Sequence, residues 1–364
     1  MDAPMASLAG QVKALLAALD GQDLEALDHA LPGVADAVPG ATPDEVQAAL
    51  ARIEPYLGRL PFFIGGAVAP LVGGMAGYGT DPGVVLPALV DRAAAAMEAA
   101  ARFAELHRAA FGEPPSPGAH DEVDATMDRF TGPGSGHGLD VGEAAVLGQA
   151  WFCADDLVQP MLYLCQRADI RAMLPQRDRL AAAVARVGET HGAPHWLGGL
   201  LRVLDDEPLL VLDRGFAGTG RGYRVTIGGI GDNFQLHTLL AAALIGDPAQ
   251  GLLPGRPPTA VEVAAAGTGE DLQPAGGLRG NWNLADAHGE WIWNEGTPAD
   301  IPHLDGVRVV VLDPEPYPRS WNTGRQYPLM TPLLRVDGTL PPEEAAAWLS
   351  RVKPAPGLGG RGDG

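Results

Sequence analysis

Along the first two hundred or so residues, apolar positions recur at helical spacing. Leu8, Val12, Leu15, Leu16, Leu19, Leu24 and Leu27 mark one helical stretch over Ser7–Leu31. A second helix begins at Ala41-Thr42-Pro43, where Thr42 can cap the first turn and Pro43 suits the first helical position. Phe62–Tyr78, FFIGGAVAPLVGGMAGY, is apolar throughout but is broken by Pro70 and five glycines. It reads as a buried pair of helices, too short and too interrupted to span a membrane. After Gly79-Thr80-Asp81-Pro82 comes a long, strongly helix-forming segment, Val84–Phe111. Gly112–His120 and Thr131–Gly138 are dense in Pro, Gly and Ser and read as loops around a short acidic helix. Val141–Leu164, Arg177–Val187 and Trp196–Leu204 then resume the helical period.

Beyond Asp205-Asp206-Glu207-Pro208 the pattern changes. Leu209–Leu212 is a short apolar strand, and in Tyr223–Ile227 the residues Tyr223, Val225 and Ile227 alternate with Arg224 and Thr226. Gly228, Gly229 and Gly231 supply a turn, and Asp232 or Asn233 is placed to cap a helix. Phe234, Leu236, Leu239, Leu240, Ala243 and Leu244 form that helix's apolar stripe, closed by Gly246. Asp247–Gly280 is a long Pro/Gly connection with one short helix near Thr259–Ala266, and such loops often carry function. Asn281–Leu284 and Glu290–Asn294 are suited to a hairpin around Asp286–Gly289, and Val307–Leu312 reads as a central buried strand. The Pro-rich run from Pro314 to Met330 is too broken for a helix or an interior strand. Leu333–Val336 reads as an edge strand, Pro341–Arg351 as a final helix and Lys353–Gly364 as a disordered tail.

The expected fold class is α+β: an all-helical domain over 1–205, a smaller α+β domain with a mixed sheet over 206–352, and a tail over 353–364. The short helices joined by Thr/Asp-Pro turns in the N-terminal half resemble an α-solenoid of the HEAT kind, without a clean repeat period.

Charge narrows the partners. Lys+Arg 25 against Asp+Glu 45 leaves a formal net charge of −20, with no basic run. That excess argues against a nucleic-acid backbone or an anionic membrane surface as the main partner. It leaves a small molecule or a protein. Cys153 and Cys165, the only cysteines, lie twelve apart, which suits neither a redox pair nor a zinc ribbon. They read as two reduced, buried thiols. MDAPMASLAG lacks the basic start and apolar core of a secretory signal, so a cytoplasmic setting is expected.

The stretch Arg221–Gly246 gathers the most chemistry beside one sharp change of period. Asp232, Asn233, Gln235 and His237 lie at its turn. In one reading, backbone N–H groups at the helix start face an anionic or carbonyl-bearing ligand, with Gln235 and His237 adding side-chain contacts. In the other, the turn is a self-satisfied joint with His237 partly buried. The dinucleotide fingerprint is incomplete, since Phe234 stands where a third glycine belongs. A second feature is the aromatic hairpin, in which Trp291 and Trp293 share a strand face and Asn294 and Glu295 follow. It is either a ligand platform or a sheet face packed under helices. A third is the loop after the buried strand, with Asp313, Tyr317, Arg319, Trp321 and Arg325 where open α/β sheets build sites. Arg319 or Arg325 can fork onto a carboxylate or phosphate, or simply pair with a neighbouring acid.

Several apparent motifs fail. His191 and His195 have the i, i+4 spacing of a metal pair, but Pro194 intervenes and the partnering glutamate is missing. Gly215–Gly222 has a phosphate-loop spacing without its Lys and Ser/Thr, and Asp155-Asp156 has no second acidic partner motif. The expectation is a small-molecule site in the second domain, roofed by the first, no cofactor being specified. For acid–base chemistry the candidate proton carriers are His237, Asp232 and Glu295. The ligand contacts would be Asn233, Gln235, Trp291, Trp293, Asn294, Arg319, Trp321 and Arg325. The alternative is a protein–protein adaptor that presents an acidic helical surface.

Overall fold

A computed structural model describes residues 7–215, 220–269, 275–315 and 317–355. The chain divides into two compact units, Met1–Leu201 and Arg202–Gly364.

The first unit is helical. Leu8–Gly21 (α1) and Leu24–Ala37 (α2) occupy what apolar spacing alone joins into one helix. Gln22 breaks it by turning left-handed (φ 48°), and Asp23 caps the new start by accepting the Ala26 N–H at 3.1 Å. Pro43–Leu57 (α3) opens with a reciprocal box: Thr42 accepts from the N–H of Glu45, and Glu45 accepts from the N–H of Thr42. Phe62–Ala76 (α4) is a single helix where a pair was expected. Burial along most of its length outweighs the cost of Pro70's missing N–H. The chain continues through Leu86–Phe111 (α5), Val123–Thr131 (α6), Val141–Leu164 (α7), Ala168–Met173 (α8), Arg177–Ala185 (α9) and Gly192–Arg202 (α10).

The glycines of α4 earn their place through close packing on α7. A Cβ at Gly73 would lie 2.7 Å from the Pro160 Cβ. Helix α7 also packs against α5 and α6, and α9 returns to α5. That order of contacts does not establish the HEAT-like array suggested by the turn residues. No helix among the described residues is long and apolar enough to cross a membrane.

The second unit is α+β. Its strands and helices run Glu207–Asp213 (β1), Arg221–Gly228 (β2), Asn233–Leu244 (α11), Ala260–Ala266 (α12), Ala275–Arg279 (β3), Asn283–Ala285 (β4), His303–Leu304 (β5), Val307–Asp313 (β6), Ser320–Thr323 (β7), Leu333–Thr339 (β8) and Pro342–Leu349 (α13). The main sheet has the order β4-β6-β1-β2-β8, with β5 also on β6. Only β1 and β6 run parallel, so the sheet is mixed. Both faces are covered, which explains why β1 and β6 are apolar without alternation. Leu209, Val211, Val225 and Ile227 pack with Leu236, Leu240 and Leu244 of α11. On the other face, Leu210, Leu212, Val309 and Val311 meet Ala345, Trp348 and Leu349 of α13.

Two local expectations shift. The turn at Asp286–Gly289 forms, with the Gly289 N–H on the Asp286 carbonyl at 3.1 Å. Its second arm makes only a bridge, Ala285 to Trp291, because β4 takes β6 as its ladder partner. The Pro-rich run holds neither a helix nor an interior strand among its described residues; its strand there, β7, pairs with β3 at the edge of a separate two-stranded ribbon. Lys353–Ala355, assigned from sequence to a disordered tail, are docked: the Lys353 N–H reaches Ala287 O at 3.1 Å and Ala355 is 2% exposed. Residues 356–364 of that tail and 216–219 of the glycine-rich run lie outside the described residues.

Candidate functional site

The turn between β2 and α11 is a built joint. Gly229 has φ 60°, and a Cβ there would lie 2.4 Å from the Thr331 carbonyl oxygen. Asp232 caps α11 by accepting the Gln235 N–H at 2.8 Å. Burial pushes the Asp232 carboxyl above its ordinary value, against the pull of the Gln235 and Phe234 N–H groups. The Asn233 N–H goes to Gly296 O at 2.9 Å and the Phe234 N–H to Asn294 O at 3.1 Å. The first helical donors are thus spent within the fold, and no backbone anion cradle is left there. Gln235 is a strut: its carbonyl accepts the Gly231 N–H at 2.9 Å and its amide donates to Ala266 O at 2.7 Å. Asn233 ties Trp293 to the helix, donating to the Trp293 carbonyl at 2.8 Å.

Those backbone bonds hold the Trp segment against α11 and so create a cleft. A depression of about 350 Å³ is lined by Phe234, Trp291, Ile292, Trp293, Asn294, Glu295, Tyr317, Arg319, Ser320 and Trp321. The Trp291 and Trp293 rings stand 6.2 Å apart, and Trp293 is 69% exposed. Trp321 lies 5.8 Å from Phe234 and meets His237 edge-on at 4.7 Å. Six expected site residues converge here: Trp291, Trp293, Asn294, Glu295, Arg319 and Trp321.

Behind the cleft lies a polar layer short of partners. Arg319 donates to Trp282 O at 3.2 Å and to Asn283 Oδ1 at 3.1 Å. Its Nε lies 3.8 Å from Glu315 Oε1, too far for a hydrogen bond. Arg319 Nε, Trp321 Nε1, Asn283 Nδ2, Glu315 Oε1 and both ring nitrogens of His237 are shielded from solvent and bond to nothing. Burial holds Glu315 above the ordinary carboxylate range, with Arg319 opposing. Desolvation pulls His237 down to about 4; the Trp282 carbonyl opposes that shift and Arg319 adds to it. His237, 0% exposed between Trp282 and Trp321, is therefore neutral near pH 7 and does not line the cleft.

The remaining expected contacts stand apart. Asp232, Asn233 and Gln235 bind the turn itself. Arg325 staples the end of α12, donating to the Gly267 carbonyl at 2.7 Å and to that of Gly269. Glu295 is exposed at the cleft.

A second cleft went unread in the sequence. About 490 Å³ in volume, it opens at the C-terminal ends of the parallel pair β1 and β6. Its polar lining is Asp213, Arg221, Asn281 and Glu315. Burial raises the Asp213 carboxyl, while the Gly215 N–H and Arg221 draw it down. Beside it, Asp313 is wholly buried and lies 2.7 Å from Arg214 Nε, close but misaligned for a hydrogen bond. The signal was present: two apolar strands each end in Leu-Asp, at Leu212-Asp213 and Leu312-Asp313.

The helical unit spends its polar side chains on structure. His191 bridges the Trp151 carbonyl and the Thr190 hydroxyl, each at 2.9 Å, and Asp155 accepts the Ala193 N–H at 2.6 Å. Burial raises the Cys153 thiol to about 11 and the Cys165 thiol to about 12, far from a reactive thiolate. Among the described residues no group of His, Cys, Asp and Glu is arranged to hold a metal ion. Comparison with models of known protein families, with curated proteins and with solved structures finds no match to this chain.

Proposed function

We propose that this is a cytosolic small-molecule-binding protein whose ligand sits in the aromatic cleft of the second unit. One observation carries the reading. Five aromatic side chains from three separate segments, Phe234, Trp291 with Trp293, and Tyr317 with Trp321, line a single cleft, and Trp293 stays largely exposed there. Exposing a large indole beside other rings forgoes burial that a purely structural residue would gain. The volume, about 350 Å³, falls at the small end of the range for ligand pockets. If the bound molecule is also turned over, Glu295 is the acid–base group, being exposed and part of the cleft wall. His237 and Asp232 then shape the wall and the turn without moving a proton. The rival adaptor reading rests on the acidity of the chain and on its helical half.

The test is ligand-observed NMR on the full chain with a panel of ring-bearing fragments. Binding is expected for flat rings, weakened about tenfold or more in Trp293→Ala with the unfolding midpoint unchanged. Fragments that bind equally well to Trp291→Ala, Trp293→Ala and wild type would remove the site from this cleft.

A further inference from the structure

The aromatic rings define the walls of the cleft, but the atoms beneath them specify more. Arg319 and Trp321 both line it and lie two residues apart, flanking the exposed Ser320. In an extended segment such positions share a face. Arg319 Nε and Trp321 Nε1 are both hydrogen-bond donors, both withdrawn from water and both unpartnered. Leaving one such donor unmet is costly, and here two stand unmet two residues apart in the chain. Arg319 is oriented by the Trp282 carbonyl and by Asn283, so its free edge is set by the fold. Glu315, the acid at 3.8 Å, does not close on it. Arg325, the other candidate clamp, also has an unpartnered Nε but does not line the cleft, and its terminal nitrogens donate to backbone carbonyls.

We propose that the ligand of this cleft is an aryl carboxylate, its ring among Phe234, Trp291 and Trp293 and its two oxygens taken by Arg319 Nε and Trp321 Nε1. This rests on the cleft being a small-molecule site. Two donors match the two oxygens of a planar carboxylate, and the Arg319 guanidinium, whose pairing with Glu315 is loose, supplies the positive charge. A phosphate dianion is disfavoured, because among the described residues Arg319 is the only cation lining the cleft, Glu295 lines it too and Glu315 lies 3.8 Å from Arg319. Because both donor atoms are covered, the carboxylate enters between the Arg319 and Trp321 side chains and displaces them locally.

The experiment is isothermal titration of the full chain with 2-naphthoate and with its neutral isostere 2-naphthamide. The carboxylate is expected to bind about tenfold tighter, the difference of one charge-assisted hydrogen bond. Trp321→Phe keeps a ring and removes only the N–H, so the preference should fall severalfold with the unfolding midpoint held. Arg319→Gln should abolish the preference while leaving amide binding in place. Equal binding of the two probes, or a preference surviving in both variants, overturns the carboxylate assignment and leaves the cleft standing as a site for neutral rings. Failure of both probes to bind, with no difference in intrinsic tryptophan fluorescence between wild type and Trp293→Phe on adding either probe, overturns the cleft as well.

Discussion

His191 in the helical unit and His237 in the α+β unit are both withdrawn from solvent, at 2% and 0% exposure. Desolvation lowers both below the ordinary imidazole value. Their surroundings then part. His191 has a partner for each ring nitrogen, the Trp151 carbonyl and the Thr190 hydroxyl. His237 has no well-aligned one: the Trp282 carbonyl lies near without forming a hydrogen bond of good geometry, and the rings of Trp282 and Trp321 cover the rest. The contrast holds across the two units. Among the described residues, Arg92 Nε is the one buried unpartnered side-chain atom in the first unit, and the others all fall in the second. Unmet buried polar groups cost stability, so among the described residues that cost falls mainly on the second unit.

The same division governs charge. Asp313 is wholly buried against Arg214, whereas Arg179 meets Glu98 and Asp91 at the surface of the helical unit. Arg214→Ala is expected to cost about 3–5 kcal/mol, since it strands a buried carboxylate. Arg179→Ala is expected to cost at most about 1 kcal/mol. Amide hydrogen exchange, read in β6 for the first variant and in α5 for the second, measures each in its own unit. Similar losses in the two would erase the contrast.

Next in size is the response to acid. The folded His237 holds its proton only below about 4, against an ordinary 6.5. As pH falls through 6.5 the unfolded chain gains a proton that the folded chain refuses. Stability is therefore lost between 6.5 and about 4 and levels off below, by up to about 3 kcal/mol. Asp213, Asp232 and Glu315, whose carboxyls are raised, act in the opposite sense: acid relieves them. The measurable quantity is thus a difference. Wild type should lose more stability between pH 7.5 and 4.5 than His237→Phe in urea unfolding, and parallel curves would show that His237 titrates freely.

The smallest effect bears most directly on the comparison. At pH 7.5, His191→Phe strands the Trp151 carbonyl and should destabilise by about 1–3 kcal/mol. His237→Phe strands nothing and should be neutral or stabilising by about 1 kcal/mol. Equal penalties in urea unfolding would mean that His237 has a partner in solution.

Much of the fold was readable because its causes are local. Thr42 and Asp232 cap the helices that follow them, Val307–Leu312 is a central strand, and Leu333–Val336 lies within an edge strand. Each depends on groups three or four residues apart, or on a periodicity carried by one segment. Where reading failed locally, an alternative had been underweighted. Gln22 turns left-handed and Asp23 caps, splitting Ser7–Leu31 in two.

The clefts are another matter. Arg319 meets Asn283 across 36 residues of chain, Arg325 meets Gly267 across 58, and Asn233 meets Trp293 across 60. Arg319 and Arg325 are the same residue type six positions apart, yet one lines the cleft and the other holds a helix end. Nothing in either one's neighbours distinguishes them. Caps, periods and turns follow from short-range sterics and hydrogen bonds, so residue order suffices for them. Which buried donor finds an acceptor, and which is left facing a cleft, depends on segments that meet only when the sheet and α11 close over a common core.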